Sequence, residues 1–355
     1  MTGRGVDQIL PHPSGQQIFE PYVRNAREYV ELAESRNGPV QRPVTPSYIW
    51  GDALAEMERV RPDARIVNLE TSITQSDDHW KGKGINYRMH PENVACITAA
   101  HIDVCGLANN HVLDYRYAGL AETLDTLSRA GVKTVGAGRN LAEAQAPALV
   151  SLDNGLRVIV FAFGTESSGI PPSWAARENR AGIDFLPDLS ETTAARILER
   201  VRRVRAHGDL VVASIHWGTN WGYDVPHDHV RFARWLVDGG VDVVHGHSSH
   251  HPRPIEVYGN RLIMYGCGDF IDDYEGIQGH EQYRDDLVLM YFATLSAVTG
   301  ELIALRMTPM QIRKLTLNRT SQSDSRWLRE TLERITAPFG SHLELVPDGT
   351  LMLKL

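Results

Sequence analysis

Four histidines lie within seven residues, directly after a short apolar run, and they are the side chains most suited to metal chemistry. The run Val241-Asp-Val-Val is rich in β-branched residues, which is typical of a buried parallel strand. Functional sites in sheets crossed by helices assemble at the carboxyl ends of the strands, and neutral imidazole binds zinc, iron, nickel and copper. The pattern predicts a metal site. The alternative is that only one or two of the four histidines belong to it and the others lie at the surface or beside the ligands. The histidines are His245, His247, His250 and His251.

Three other groups of polar side chains follow runs that we predict to be strands: Glu70, Asn109-Asn110-His111 and His216. Each has an ordinary structural explanation, as a helix cap, a turn or a packed histidine. Together with His247 and His250 they make four groups of polar side chains at predicted strand ends. Because neighbouring parallel strands end at one edge of the sheet, these four groups favour a shared site. A carboxylate, amide oxygens and imidazoles are typical of hydrolytic centres, in which a metal lowers the pKa of bound water to about 7.

Composition indicates a soluble globular protein and excludes several classes of function. The 355 residues are 42% hydrophobic and 23% charged, and the net charge of -8 without a basic block argues against a nucleic-acid partner. Three cysteines, with no Cys-x-x-Cys pair, argue against a disulfide framework and favour a reduced compartment, so we expect a cytoplasmic protein. No window approaches the roughly 20 apolar residues that a membrane span needs.

The order of predicted elements indicates an α/β fold with some α+β character. Up to His251, apolar strands alternate with helical segments, as in a parallel sheet covered by helices. Beyond His251 the predicted strands leave little room for helices, so we expect antiparallel strands there. Helices are predicted over residues 15–35, 117–129, 190–206 and 228–238.

Both ends of the chain and one internal segment fall outside this alternation. Residues 1–13 are rich in glycine and proline and are predicted to be a loop. The polar segment 75–90 is predicted to be an exposed rim loop, whose Lys83 could meet an anionic substrate or simply be solvated. The tail, 321–355, is predicted to form an amphipathic helix and a hairpin that turns at Asp348-Gly.

Five motifs follow one another along the chain: Asn68-Leu-Glu-Thr, Leu107-Ala-Asn-Asn-His-Val-Leu-Asp, Gly136-Ala-Gly-Arg-Asn, Ser214-Ile-His-Trp-Gly and Gly246-His-Ser-Ser-His. In type, order and spacing they resemble the bacterial CapA family, the capsule or poly-γ-glutamate synthesis proteins. That family is similar in fold to calcineurin-type metallophosphoesterases. The resemblance implies a two-sheet sandwich flanked by helices over residues 1–312, with residues 313–355 as a helix and hairpin extension packed on it.

The resemblance also implies a metal centre with one or two divalent ions, which could be manganese, iron, zinc or magnesium. Glu70 would be the bridging carboxylate, and Asn110 and His216 would be ligands of one ion. His247 and His250 would be divided between the two ions.

His111 takes the catalytic role that the resemblance implies. It would donate a proton to the leaving group or stabilise a developing anion, held in place by Asp114 or by a backbone carbonyl. The implied function is a part in poly-γ-glutamate or capsule polymer synthesis, with hydrolysis of a phosphoester or amide in an anionic polymer or small molecule. The alternative is a non-catalytic scaffold in polymer assembly.

The sequence departs from the family pattern in three places. The commoner family form of the last motif is Gly-His-His-Pro-His, and in this sequence Ser248-Ser249 occupy its two middle positions, which removes one imidazole. Asp269 stands where the family has asparagine. Family members open with an apolar strand ending in Gly-Asp, whose aspartate is a ligand, whereas this sequence starts at Met1-Thr-Gly-Arg. Either the start codon was assigned late or the chain is truly shortened, and in both cases we expect the sheet formed by this sequence to lack its first strand. If the reading frame continues upstream, we expect it to encode that strand and Met1 to be internal to the natural protein.

Overall fold

The structure, a computed structural model, describes residues 1–153 and 155–355. Within these residues the fold is mixed α/β, which confirms the predicted class. The α-helices are α1 (Gly5–Ile9), α2 (Arg27–Asn37), α3 (Asp52–Val60), α4 (Ala95–Thr98), α5 (Arg116–Arg129), α6 (Leu141–Gln145), α7 (Glu191–Val204), α8 (His227–Asp238) and α9 (Gln322–Thr336). The strands are β1 (Ile66–Asn68), β2 (Ser72–Ile73), β3 (Arg88–Met89), β4 (Val104–Gly106), β5 (Lys133–Val135), β6 (Ala137–Gly138), β7 (Ala148–Ser151), β8 (Arg157–Thr165), β9 (Gly182–Ile183), β10 (Phe185–Leu186), β11 (Leu210–His216), β12 (Val243–His247), β13 (Ile255–Tyr258), β14 (Arg261–Met264), β15 (Leu287–Leu295), β16 (Leu302–Ile312), β17 (Leu317–Arg319), β18 (His342–Leu345) and β19 (Leu351–Lys354).

The largest sheet has seven strands in the order β10-β8-β11-β12-β14-β13, with β7 also paired to β8. All neighbours pair in parallel except β7 on β8 and β13 on β14. Val158 and Val160 of β8 face the larger apolar core, whereas Ile159 and Phe161 face a second core that includes residues of α7 and α8. Because both faces are covered, β8 is a continuous apolar run, and this is why its position could be predicted.

Two smaller sheets share the larger core with the seven-stranded sheet. Strands β1, β4 and β5 form a parallel sheet of three, and β15 to β19 form an antiparallel sheet of five. In the part of the chain that the structure describes, β1 and β15 each pair with one neighbour only. Both line a cavity of about 550 Å³, together with Val212 and Val243. The expectation of a strand ahead of Met1 stays a prediction.

The tail follows its prediction. Helix α9 is followed by the hairpin of β18 and β19, and β19 pairs with β16, so the hairpin extends the five-stranded sheet. The division at residue 312 stays a prediction. In the described parts of the chain, no helix is both long and apolar enough to cross a membrane.

The predictions for the first 35 residues are partly wrong. The helix predicted over 15–35 begins only at Arg27, because the residues before it form a loop closed by a bridge between Gln17 and Asn25. Helix α1 lies within the segment 1–13 that we predict to be a loop. It is buried, and its Asp7 carboxylate accepts hydrogen bonds from groups outside the helix, including the backbone N–H of Ser14 at 2.6 Å and of His90 at 2.9 Å. Such long-range contacts leave no periodic pattern in the sequence.

Candidate metal centre and its surroundings

The predicted ligands stand at the carboxyl ends of strands from two different sheets. Strands β1 and β4, neighbours in the three-stranded sheet, lead to Glu70 and to Asn110-His111. Strands β11 and β12, neighbours in the seven-stranded sheet, end at His216 and His247. The two sheets are in contact here, since a Cβ at Gly106 would lie 3.6 Å from Ser214 Oγ and 3.8 Å from Ala162 Cβ, which are ordinary packing distances.

Glu70, Asn110, His111 and His216 form one polar cluster. Glu70 Oε1 lies 3.9 Å from Nε2 of His111 and 3.9 Å from Nε2 of His216. Asn110 Oδ1 lies 3.2 Å from Nε2 of His216. Burial alone would raise the pKa of Glu70, but His216, His111 and His250 outweigh it and lower that pKa below its usual value. Glu70 is therefore a carboxylate at neutral pH.

His247 lies beside His216, and both of its ring nitrogens contact protein groups. Its Nδ1 is 2.7 Å from His216 Nδ1, and its Nε2 is 2.9 Å from Ser214 Oγ, which is also 3.0 Å from His245 Nδ1. The result is a row of three imidazoles and a hydroxyl, in which His245 is half-buried and the other groups are buried. Burial lowers the pKa of His216 and His245 to about 4 and that of His247 well below its usual value. These rings are neutral at pH 7, which is the form that binds metals.

His250 has its hydrogen-bond partners outside this cluster. Its Nδ1 lies 2.9 Å from Asp269 Oδ2, and its Nε2 lies 3.4 Å from the Tyr274 hydroxyl. Burial lowers the pKa of His250, but Asp269 more than offsets this and the pKa is raised. His250 and Glu70 also interact electrostatically: His250 contributes to the lowered pKa of Glu70, and Glu70 contributes to the raised pKa of His250.

Two tyrosines that sequence reasoning missed connect His250 with His111. The Tyr87 ring meets the His111 ring edge-on, with centroids 4.6 Å apart, and its hydroxyl lies 3.4 Å from that of Tyr274. Both tyrosines lie in loops with no apolar run before them. The sequence therefore offered no strand-end signal for either one.

Asp114, rather than a backbone carbonyl, holds His111. Asp114 Oδ2 lies 2.6 Å from His111 Nδ1 and accepts a hydrogen bond from the Tyr87 backbone N–H at 2.6 Å. The Asp114 side chain is fully buried. Burial lowers the pKa of His111, although Asp114 opposes that shift.

The prediction of an exposed loop over 75–90 is wrong for its second half. The Lys83 side chain is only 14% exposed, and Tyr87 and Arg88 are buried. Lys83 Nζ lies 2.5 Å from Asp114 Oδ1 and 3.1 Å from the Ile85 carbonyl oxygen. This polar part of the loop can be buried because its polar groups have partners inside the protein. Composition alone does not reveal those partners.

The donor set matches a divalent ion in chemical kind. Glu70, Asn110 and His216 supply a carboxylate, an amide oxygen and a neutral imidazole, and ligands of one ion with bonds of about 2.1 Å lie roughly 3–4 Å apart. The arrangement is not a complete ligand set, since no three His, Cys, Asp or Glu side chains in residues 1–153 and 155–355 are placed to bind one ion together. The ring nitrogens of His247 and His250 face other protein groups.

Comparison with known proteins places the chain in a family. The family model described as Bacterial capsule synthesis protein PGA_cap matches residues 1–274. The chain belongs to this capsule synthesis protein family. The match covers all of the predicted ligands and His111, and the predicted resemblance is thereby confirmed.

Several relatives match over most of the length of this chain. A probable polyglutamine synthesis accessory protein of Mycobacterium tuberculosis is 47% identical over 352 residues, which are 99% of this chain and 93% of the relative. The PGA biosynthesis protein CapA of Bacillus subtilis is 31% identical over 251 residues, 70% of this chain and 61% of the relative. The capsule biosynthesis protein CapA of Bacillus anthracis is 27% identical over 298 residues, 82% of this chain and 61% of the relative.

Proposed function

We propose that the protein takes part in poly-γ-glutamate or capsule polymer synthesis and hydrolyses a phosphoester or amide bond at a divalent metal centre. The names of its relatives support the first part. The observation that carries the second part is the meeting of Glu70, Asn110, His111 and His216 at the ends of strands from two sheets.

A metallophosphoesterase-like sandwich of two sheets flanked by helices is part of this proposal. Its support is the packing of the three-stranded and seven-stranded sheets around one core, with α7 and α8 on the outer face of the larger sheet. A cytoplasmic location is also proposed; the three cysteines, Cys96, Cys105 and Cys267, are free and buried.

Glu70, Asn110 and His216 would hold one ion, and His247 and His250 would complete the ligands of one or two ions. A bound divalent ion would supply a nucleophile by lowering the pKa of its water, and would polarise the substrate. Manganese, iron, zinc and magnesium all remain candidates, because the set mixes oxygen and nitrogen donors.

The chain's own groups account for the rest of the chemistry. Asp114 Oδ2 lies 2.6 Å from His111 Nδ1, so Nε2 is the nitrogen that faces Glu70 and the reacting group. From there Nε2 would accept the proton released by the attacking water and then give it to the leaving oxygen or nitrogen, and while protonated it would stabilise the developing charge. Burial keeps His111 at 7% exposure, which limits competing contact with bulk water.

The scaffold alternative also has an observation in its favour. Both ring nitrogens of His216, His247 and His250 have protein partners, and hydrogen-bonded imidazoles of this kind can serve structure alone. In that case the site would bind neither a metal nor a substrate.

Elemental analysis of protein purified without chelators, followed by assay with bis(p-nitrophenyl) phosphate and a γ-glutamyl anilide, separates the two functions. We expect at least one divalent ion per chain and turnover of one compound, with Glu70→Gln losing both. Glu58→Gln, an exposed carboxylate on α3, is the matched control and should lose neither. Wild-type protein that contains no divalent ion, takes up none of manganese, iron, zinc and magnesium when they are added, and stays inactive would overturn the hydrolytic function and favour the scaffold alternative.

A further inference from the structure

One buried residue, Asp114, holds three points of the loop from Gln75 to Tyr87. The Trp80 backbone N–H donates to the Asp114 carbonyl oxygen at 2.7 Å, and Asn86 Nδ2 donates to the same oxygen at 3.3 Å. The Tyr87 backbone N–H donates to the side-chain Oδ2 at 2.6 Å. Asp114 therefore organises this loop as well as His111.

Lys83 enters the site because of the glycines on either side of it. Gly82 and Gly84 have φ of 81° and 85°, a region that glycine adopts at little cost and other residues rarely do. The backbone thus turns Lys83 inward, where the Trp174 ring lies 5.8 Å from Nζ, while Lys81, two residues away, is exposed. The Gly-Lys-Gly pattern is the sequence signal that could have pointed to Lys83.

The contacts of His111 Nδ1 determine which of its nitrogens carries the proton. Nδ1 lies 2.6 Å from Asp114 Oδ2, an acceptor, and 3.0 Å from Lys83 Nζ, a donor, so the two neighbours favour opposite tautomers. The ammonium group forms an ion pair with Asp114 Oδ1 and donates a hydrogen bond to the Ile85 carbonyl oxygen, so it has partners other than His111 Nδ1. A bare Nδ1 facing a carboxylate at 2.6 Å would place two acceptors in contact. The proton therefore belongs on Nδ1.

We propose that Lys83 is a positioning residue, which occupies one oxygen of Asp114 so that the other holds His111 with Nδ1–H on the carboxylate and Nε2 towards Glu70. The buried ammonium group of Lys83 compensates the charge of the buried Asp114 carboxylate. Without Lys83, Asp114 would be an uncompensated carboxylate in the interior. Only the kinetic consequence rests on the proposed hydrolysis; the arrangement itself does not.

The arrangement is tested first on metal-free wild-type protein. Long-range proton–nitrogen correlation spectra, assigned with His111→Gln, should show His111 with its proton on Nδ1. Lys83→Met should speed hydrogen exchange of the Tyr87 amide by about tenfold, because the carboxylate it donates to is no longer fixed. Lys81→Met, in the same loop, should leave that exchange unchanged. A proton on Nε2 in the wild type, or an unchanged Tyr87 exchange rate in Lys83→Met, overturns the proposal.

Action through Asp114 is tested with a double-mutant cycle on bis(p-nitrophenyl) phosphate hydrolysis. Lys83→Met should lower kcat about tenfold with little change in KM, and it should add less than about twofold in an Asp114→Asn background. Lys83→Arg keeps the charge and should recover part of kcat. Full additivity of the two substitutions contradicts the positioning role. If the wild type has no activity, the proposed function fails, while the spectra and the exchange rates still decide the role of Lys83.

Discussion

His111 is the residue where packing and chemistry are easiest to separate. One nitrogen is held by Asp114, the other faces Glu70, and its ring rests against Tyr87. Glutamine is close in size and keeps a polar group next to Asp114, but it cannot transfer a proton. Its effect on folding should therefore be small and its effect on hydrolysis large.

We predict that His111→Gln lowers kcat by about 100-fold or more, while metal content and melting temperature stay close to those of the wild type. Kinetics, elemental analysis and thermal unfolding measure the three quantities. His207→Gln, an exposed histidine, serves as the control. A melting temperature that falls as steeply as activity would indicate a structural role for His111.

Ser214 has a different importance, since one hydroxyl serves two imidazoles, at 2.9 Å from His247 and 3.0 Å from His245. We predict that Ser214→Ala lowers the free energy of unfolding by about 1–3 kcal/mol, because two buried ring nitrogens lose their partner. Chemical denaturation measures the change, with the exposed Ser323→Ala as the control. Wild-type stability in Ser214→Ala would show that water replaces the hydroxyl.

At the scale of elements, the strands that could be predicted are those buried on both faces. Strands β8, β11 and β12 carry apolar runs, and the histidines at the ends of β11 and β12 could be predicted because the end of an apolar run is visible in the sequence. Lys83 and Tyr274 could not be found in this way. Loops bring them to the site, and their positions depend on partners far away in the chain, such as Asp114 and His250.

Helix α3 is fastened to the five-stranded sheet by one buried carboxylate. Glu56 has a fully buried side chain, accepts hydrogen bonds from Arg59 and Thr308, and forms an ion pair with Arg319 at 2.5 Å. Burial alone would raise the pKa of Glu56, but Arg59, Thr308 and Arg319 outweigh it and lower the pKa to about 2. A carboxyl whose pKa is lower in the folded state stabilises the fold above its unfolded pKa and loses that contribution as the pH falls.

We predict that Glu56→Gln lowers the free energy of unfolding at neutral pH by about 2 kcal/mol. The difference from wild type should shrink as the pH falls from the ordinary glutamate pKa of 4.5 towards about 2, where the folded carboxyl also becomes protonated. Urea denaturation across this range measures it, with the exposed Glu58→Gln as control. A stability difference that does not depend on pH would contradict the assignment of the shift to Glu56.

At the scale of the whole molecule, strands β1 and β15 are edge strands, each paired on one side within the described residues. Edge strands with free backbone groups promote self-association, and an exposed lysine on the edge opposes it. We predict that Ala293→Lys, at an exposed position of β15, reduces concentration-dependent light scattering without changing the melting temperature. Ala297→Lys, which lies beyond the strand, should have no such effect. Equal scattering in both variants would show that the β15 edge does not drive association.

The cluster around Glu70 takes its side chains from two sheets that pack through a shared core. A ligand that contacts Glu70 and His216 at the same time would act as a thermodynamic cross-link between those sheets. At a concentration 100 times its Kd, such a ligand adds about 2.7 kcal/mol to the stability of the fold. Part of its binding free energy would be used to fix the sheets against each other, so its affinity depends on the stiffness of the core. A substitution in that core, far from any ligand atom, would then weaken binding by loosening the alignment of the two sheets.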